Sequence, residues 1–264
     1  ADSSGRCSLR AAIEEANADP DRDTISFENI PTTDGFATIS LGSDSDLGTL
    51  KVTEEIVIDG STAPGYPSTS GNGPIVKVDG SDIAGDILKV GPGTNLEPGS
   101  DGSRVEGLAF VNGPASGIAV AGGGNSLIGS LPAPDSVSIA NCFVGVDVDG
   151  TTVQGNGGDG IFVGGNGSSI SGNLVSGNGG DGILISGSNH RILDNTIGLD
   201  YDVDAAKGNA GHGVHVAPFS SGNRIGDAFS SRGFSISNGN TIAANDGAGI
   251  LIEGDGNRVF ANLI

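Results

Sequence analysis

Gly160-Ile161-Phe162-Val163 returns 22 residues later as Gly182-Ile183-Leu184-Ile185. The same phrase stands at Gly117-Ile118-Ala119-Val120, Gly213-Val214-His215-Val216 and Gly249-Ile250-Leu251-Ile252. Each copy leads into a polar, Asn-rich stretch and a second short apolar run. Ile170-Ser171-Gly172-Asn173 likewise recurs as Ile192-Leu193-Asp194-Asn195, and Asn240-Thr241-Ile242 as Asn262-Leu263-Ile264. A fixed period in the range of roughly 20–50 residues belongs to stacked units that cannot bury their apolar faces alone. About 22 residues hold three short strands and three turns, which is one rung of a parallel β-helix. Each strand then stacks on its equivalent in the next rung at about 4.8 Å.

Within Gly-Ile-x-Val, the first and third apolar residues point to one face and x to the other. The inner positions predict one continuous core. Asn141, Asn173, Asn195, Asn240 and Asn262 are expected at one turn position, where amides can form a ladder. The glycines are expected in turns that need positive φ. The wider gaps from Gly182 to Gly213 and from Gly213 to Gly249 imply insertions between strands.

The opening residues differ. Ser8 to Asn17 reads as a helix: Ser8 is a good N-cap, and Leu9, Ala12, Ile13 and Ala16 share one face. Such a helix is expected to cap the open end of the solenoid, where core and unpaired strand groups would otherwise meet water. The chain thus divides into an N-terminal cap over 1–30, irregular rungs with long loops over 31–115, and regular rungs over 116–264. Ile264 falls in mid-rung, so the solenoid is expected to continue past it, and Ala1-Asp2-Ser3 reads as the start of a trimmed or mature chain.

The 264 residues include 48 glycines and carry a formal net charge of −20. That charge argues against nucleic acid, because no cationic surface is available to neutralise phosphates. No apolar run approaches the roughly 18 residues that would span a bilayer, so membrane insertion is not expected. The two cysteines, Cys7 and Cys142, allow one disulfide but no framework.

Cys7-Ser8-Leu9-Arg10-Ala11-Ala12-Ile13-Glu14-Glu15-Ala16-Asn17, followed by Asp23-Thr24-Ile25-Ser26-Phe27, resembles the CSLREA-type N-terminal element of secreted bacterial and archaeal proteins, with Ala11 where glutamate is usual. The Gly-Asn-x-Gly-Asp-Gly-Ile repeats resemble the pectate-lyase-like superfamily of right-handed parallel β-helices. The resemblance implies an extracellular or cell-surface location, often within a long adhesin-like protein. The fold expected is all-β: a right-handed parallel β-helix of about eight to ten three-strand rungs with an N-terminal capping α-helix.

Three groups of residues are candidates for chemistry. Asp159, Asp181 and His212 fill the slot between two glycines in successive rungs, so two carboxylates and an imidazole should be neighbours and perturb one another's titration. Gly211-His212-Gly213 also resembles a catalytic Gly-His-Gly of polygalacturonase-type glycosidases, although the repeat by itself supplies Gly-x-Gly and Asn195-Thr196 is followed by Ile197 rather than aspartate. Asp147 and Asp149, and Asp200, Asp202 and Asp204, place carboxylates at every second residue of two equivalent turns, a pattern that suits calcium or a solvated acidic loop. The x positions Phe162, Leu184, His215 and Leu251 form an outward stripe fit to bind a ligand or partner, unless an insertion over 217–235 covers it.

The sequence therefore reads as a non-catalytic extracellular or surface module, a scaffold, adhesin or glycan-binding region, whose partner is a glycan or a surface protein. The alternatives are a polysaccharide lyase or glycoside hydrolase, and a structural protein that self-associates end to end.

Overall fold

The computed structural model describes residues 7–42, 48–66, 73–92, 100–122, 133–231 and 234–264. Residues 1–6 of the cap lie outside them. The chain is a right-handed parallel β-helix built from an eight-stranded and two seven-stranded parallel sheets. Seven rungs contribute one strand each to sheet 1 (the eight-stranded one), sheet 2 and sheet 3 in turn, and Arg258–Val259 adds the eighth strand of sheet 1. The first rung comprises Asp23–Ser26, Ala37–Ser40 and Leu50–Val52, and the fifth Ser169–Ser171, Leu174–Val175 and Ile183–Ser188. The irregular segment before residue 116 follows the same plan as the regular one: Val57 pairs Arg104, Val76 pairs Leu108 and Leu88 pairs Ile118.

Register stacks like on like. In sheet 1, Ile58, Val105, Ile139, Ile170, Ile192 and Ile225 lie directly above one another. In sheet 3, Ile118, Ile161, Ile183 and Val214 do the same. All of these residues are buried. Each such side chain contributes roughly 1.5–3 kcal/mol by leaving water, and its β-branch suits an extended backbone.

The glycines of the repeated phrase differ from expectation. Gly160, Gly182 and Gly213 do not have positive φ. Each lies beneath the carbonyl of the equivalent glycine in the next rung, so that a Cβ would come within 2.7, 2.6 and 2.6 Å of that oxygen. The same carbonyls accept Ile161 N–H at 3.0 Å, Ile183 N–H at 2.9 Å and Val214 N–H at 2.9 Å. Close backbone stacking, rather than a left-handed turn, therefore demands glycine here.

The helix spans Leu9–Ala16, with Ser8 Oγ accepting Ala11 N–H at 3.1 Å. It buries Leu9, Ile13 and Ala16 against the first rung. Asn17 fastens its end: Oδ1 accepts Thr53 N–H at 2.8 Å and Nδ2 donates to Lys51 O at 2.7 Å. Arg10 donates to Gly48 O at 2.6 Å. Cys7 is exposed beside this cap and Cys142 is buried in the core, both as free thiols.

Asparagines close two of the corners. Asn173, Asn195, Asn240 and Asn262 form one ladder, each backbone N–H and Nδ2 donating to the Oδ1 of the next at 2.8–3.0 Å. Asn141 is not part of it. Cys142 holds that slot and donates its N–H to Asn173 Oδ1 at 2.9 Å, while Asn141 sits one residue earlier, exposed, at φ 52°. Asn156, Asn178, Asn209 and Asn245 build a second ladder, with amide contacts of 3.0, 2.9 and 2.8 Å. At the third corner His190, Asn223 and Asn257 stack, with His190 N–H donating to Asn223 Oδ1 at 2.9 Å.

Candidate functional site

The outer face of sheet 3 brings two of the three candidate groups together. Paired residues across rungs put Ala119, Phe162, Leu184, His215 and Leu251 in one outward column. Ala119 is buried and the other four are half-buried. The insertion after Ala217 does not run along this column. Its hairpin, Ala228–Ser231 with Phe234–Ser237, leaves between the sheet 1 strand Arg224–Ile225 and the sheet 2 strand Thr241–Ile242.

Beside the stripe runs the column of Asp159, Asp181 and His212. Each side chain caps a backbone amide of the next rung. Asp159 Oδ1 accepts Asp181 N–H at 2.8 Å, Asp181 Oδ1 accepts His212 N–H at 2.6 Å, and His212 Nδ1 accepts Ala248 N–H at 2.8 Å. The last bond assigns the His212 proton to Nε2. Asp86 makes the same bond lower down, accepting Ser116 N–H at 3.0 Å. The column is thus a built feature of the stacking, and this explains why carboxylates recur in it.

His215 links the two columns. Its Nδ1 lies 2.8 Å from Asp181 Oδ2 and its Nε2 2.9 Å from Glu253 Oε2. The His212 ring meets it edge-on, with centroids 5.4 Å apart. Burial disfavours the imidazolium, but the hydrogen bonds and charges of Glu253 and Asp181 outweigh that and raise the His215 pKa. Burial also pushes the Asp159 carboxyl up, helped by the charge of Asp181 and opposed by the Asp181 N–H. Sequence reasoning assigned His215 to the apolar stripe and missed Glu253, which stands two residues past its strand partner Leu251, just beyond the repeated phrase.

The arrangement can present carboxylate oxygens and one imidazole N–H beside an apolar strip. It offers no imidazole with a free lone pair: both His215 nitrogens face carboxylates and His212 Nδ1 faces an amide. A general base taken from either histidine would first have to break a bond that holds the rungs.

The third group lies elsewhere, in two excursions off sheet 2. Each is closed by an antiparallel bridge, Val146 with Val153 and Leu199 with Ala206. The turns stack, with Tyr201 N–H donating to Gly150 O at 2.9 Å. Asp147 Oδ2 takes Lys77 Nζ at 2.9 Å. Asp149 accepts from the N–H groups of Thr151 and Thr152 at 2.8 Å each and from Thr152 Oγ1 at 2.6 Å. Asp200 Oδ1 accepts from Asp204 and Ala205 N–H at 3.0 and 3.1 Å, while Asp202 and Asp204 are exposed. These carboxylates brace their own turns, and an ammonium group stands against Asp147. Among the described residues no group of three His, Cys, Asp or Glu side chains could hold a metal ion. A chelator is accordingly expected to leave the melting temperature unchanged. A rise on adding calcium would show a site that binds the native state.

Residues 135–264 match the family model described as Right handed beta helix region. Among solved structures, the chain is similar to the A-module of the mannuronan C-5 epimerase AlgE6 from Azotobacter vinelandii. The identity is 15% and the TM-score 0.32, with 98% of this chain and 96% of that chain covered. That likeness says nothing of this chain's activity. None of the curated proteins matches the chain.

Proposed function

We propose that the chain is a non-catalytic module of an extracellular or cell-surface protein, and that it binds a neutral glycan along the outer face of sheet 3. The observation that carries this reading is His215, held between Asp181 and Glu253 with both ring nitrogens engaged. A histidine so committed orders the surface, and would have to break one of these contacts before exchanging a proton with a substrate. Alongside it, Phe162, Leu184 and Leu251 supply a half-buried apolar strip on a rigid lattice repeating at about 4.8 Å. A sugar chain offers complementary chemistry, with apolar C–H faces for the strip and hydroxyls for Asp159, Asp181 and Glu253. The net charge of −20 opposes polyuronates and favours uncharged chains.

Affinity electrophoresis against neutral glucans, mannans and xylans, with polygalacturonate as the charged comparison, tests this. Retardation by a neutral glycan is expected, weakened about tenfold in Leu184→Ser and in His215→Ala. Retardation that both variants retain in full would remove the sheet 3 face as the binding surface.

A further inference from the structure

A second surface stands apart from sheet 3. On the outside of sheet 2, a cleft of about 400 Å³ is lined by Phe36, Phe143, Tyr201 and Asp149, with glycines and the residues Pro74, Ile75 and Val148 completing it. Its size falls in the range of small-molecule sites, roughly 300–1,000 Å³. The chain has 9 phenylalanines, 2 tyrosines and no tryptophan. Three of these few aromatic rings meet here, drawn from rungs far apart in sequence.

Each ring is held by rigid backbone. Phe36 closes a tight hairpin whose central residues, Asp34 and Gly35, both have positive φ. Its N–H and C=O pair with Thr33 at 3.0 and 2.7 Å. Tyr201 sits in the excursion after Leu199, its N–H bonded to Gly150 O. Phe143 forms the floor at 4% exposure, so closely covered by Gly73 that no side chain could stand there. The Phe143 and Tyr201 rings are 5.7 Å apart and inclined at 46°. Phe36 and Tyr201 remain 42% and 37% exposed, so both rings are accessible from solvent.

Among the described residues, the one charged side chain lining the cleft is Asp149. Burial works against its ionisation, but bonds from Thr152 and Thr151 outweigh this and keep the carboxyl below its usual range. The carboxylate therefore stays charged at neutral pH. Lys77, the nearby cation on the outer face of sheet 2, is taken up by Asp147 and by Gln154 at 3.2 Å. Aromatic faces beside an uncompensated carboxylate, on a protein of net charge −20, favour a cation with an apolar body. An anion would be repelled here.

We infer that this cleft is an aromatic cage for an alkylated ammonium ion, with Phe36 and Tyr201 packing around the methyl groups above the Phe143 floor and Asp149 facing the charge. The inference does not rest on glycan binding at sheet 3, and the two surfaces are tested by different ligands.

The test titrates the protein with choline, with Nε-trimethyl-lysine amide, and with 3,3-dimethylbutanol as the uncharged isostere of choline, followed by calorimetry and tyrosine fluorescence. At least one of the two cations is expected to bind with a Kd in the millimolar range, about tenfold tighter than the alcohol, and more weakly as salt is raised. The tighter of the two tells whether the group comes from a choline headgroup or a methylated lysine. Tyr201→Ala and Asp149→Asn should each weaken binding about tenfold. Tyr201 is partly exposed, and the amide oxygen introduced by Asp149→Asn would still accept from the threonine N–H groups, so both variants should fold. Equal affinity for the alcohol, affinity unchanged in both variants, or no binding of either cation would overturn the inference.

Discussion

Asn195→Ala should destabilise the protein by about 3–5 kcal/mol, one of the largest effects expected of any single change. Asn195 Oδ1 accepts Asn173 N–H at 3.0 Å and Asn173 Nδ2 at 2.9 Å. Its own Nδ2 donates to Ile170 O at 2.9 Å, Leu193 O at 3.0 Å and Asn240 Oδ1 at 2.8 Å. The site is 1% exposed, so water cannot replace these partners. Alanine would orphan several buried groups at once, each costing about 1–3 kcal/mol if left unpaired, partly relieved by local relaxation. Because a solenoid rung contacts only its neighbours, the loss should be local as well as global. Urea unfolding gives the magnitude. Hydrogen exchange should show protection falling first in the strands flanking Asn173, Asn195 and Asn240. Asn141→Gly is the matched comparison. Asn141 is exposed at φ 52°, outside the ladder, and its replacement should change stability by no more than about 0.5 kcal/mol.

His190 gives the second large effect, and it appears on acidification. The ring is fully buried in a ladder slot that asparagine fills elsewhere. Its Nδ1 accepts Ser168 N–H at 3.1 Å, which places the proton on Nε2, and Nε2 has no partner of good hydrogen-bonding geometry. Burial lowers the pKa to about 4, against smaller opposing effects from the Gly165 carbonyl and the Asp135 charge. A histidine depressed in the folded state binds its proton more readily once unfolded. Its contribution is therefore fully present above the unfolded pKa of about 6.5 and is lost as pH falls towards 4. The loss should total about 3 kcal/mol at the acid end. Asparagine at this position would accept from Ser168 and donate to Asn223 without titrating. His190→Asn should flatten the decline in urea midpoint between pH 7 and pH 4.5, and an unchanged decline would assign the acid sensitivity to other groups. Asp149 and Asp200, both lowered, lose stability in the same direction, which is why the difference between the two proteins is the relevant quantity. His215 acts oppositely: its raised pKa contributes stability that is lost as pH rises through the folded value.

The architecture was readable because the repeat is spaced by the rungs themselves. Gly160 and Gly182 stand one rung apart, and so do Ile161 and Ile183, which pair in the structure. The same spacing placed Asp159, Asp181 and His212 in one column and Phe162, Leu184, His215 and Leu251 in another. What spacing could not supply was depth. Asn141 and Cys142 are adjacent, and only the stacking shows that the cysteine enters the slot while the asparagine turns outward. The second ladder carries its own signal in the sequence: its asparagines are separated by 22, 31 and 36 residues, the intervals of the glycine phrase. Glu253 stands two residues past Leu251, the strand partner of His215, so the interval of the glycine phrase already brings it near; the meeting of Phe36, Phe143 and Tyr201 depends on how loops of unequal length fold back. No period records that. The aspartate runs were legible as equivalent turns, but not the partners that occupy them, since Lys77 lies 70 residues before Asp147.

Binding without turnover is the central claim, and product analysis after prolonged incubation with the glycan panel tests it most directly. Each glycan should be recovered with unchanged length and sugar composition, including the one that retards the protein. Shortened, unsaturated or altered chains, formed by this protein and abolished in His212→Ala or Asp181→Ala, would contradict it and make the Asp159–Asp181–His212 column an active site.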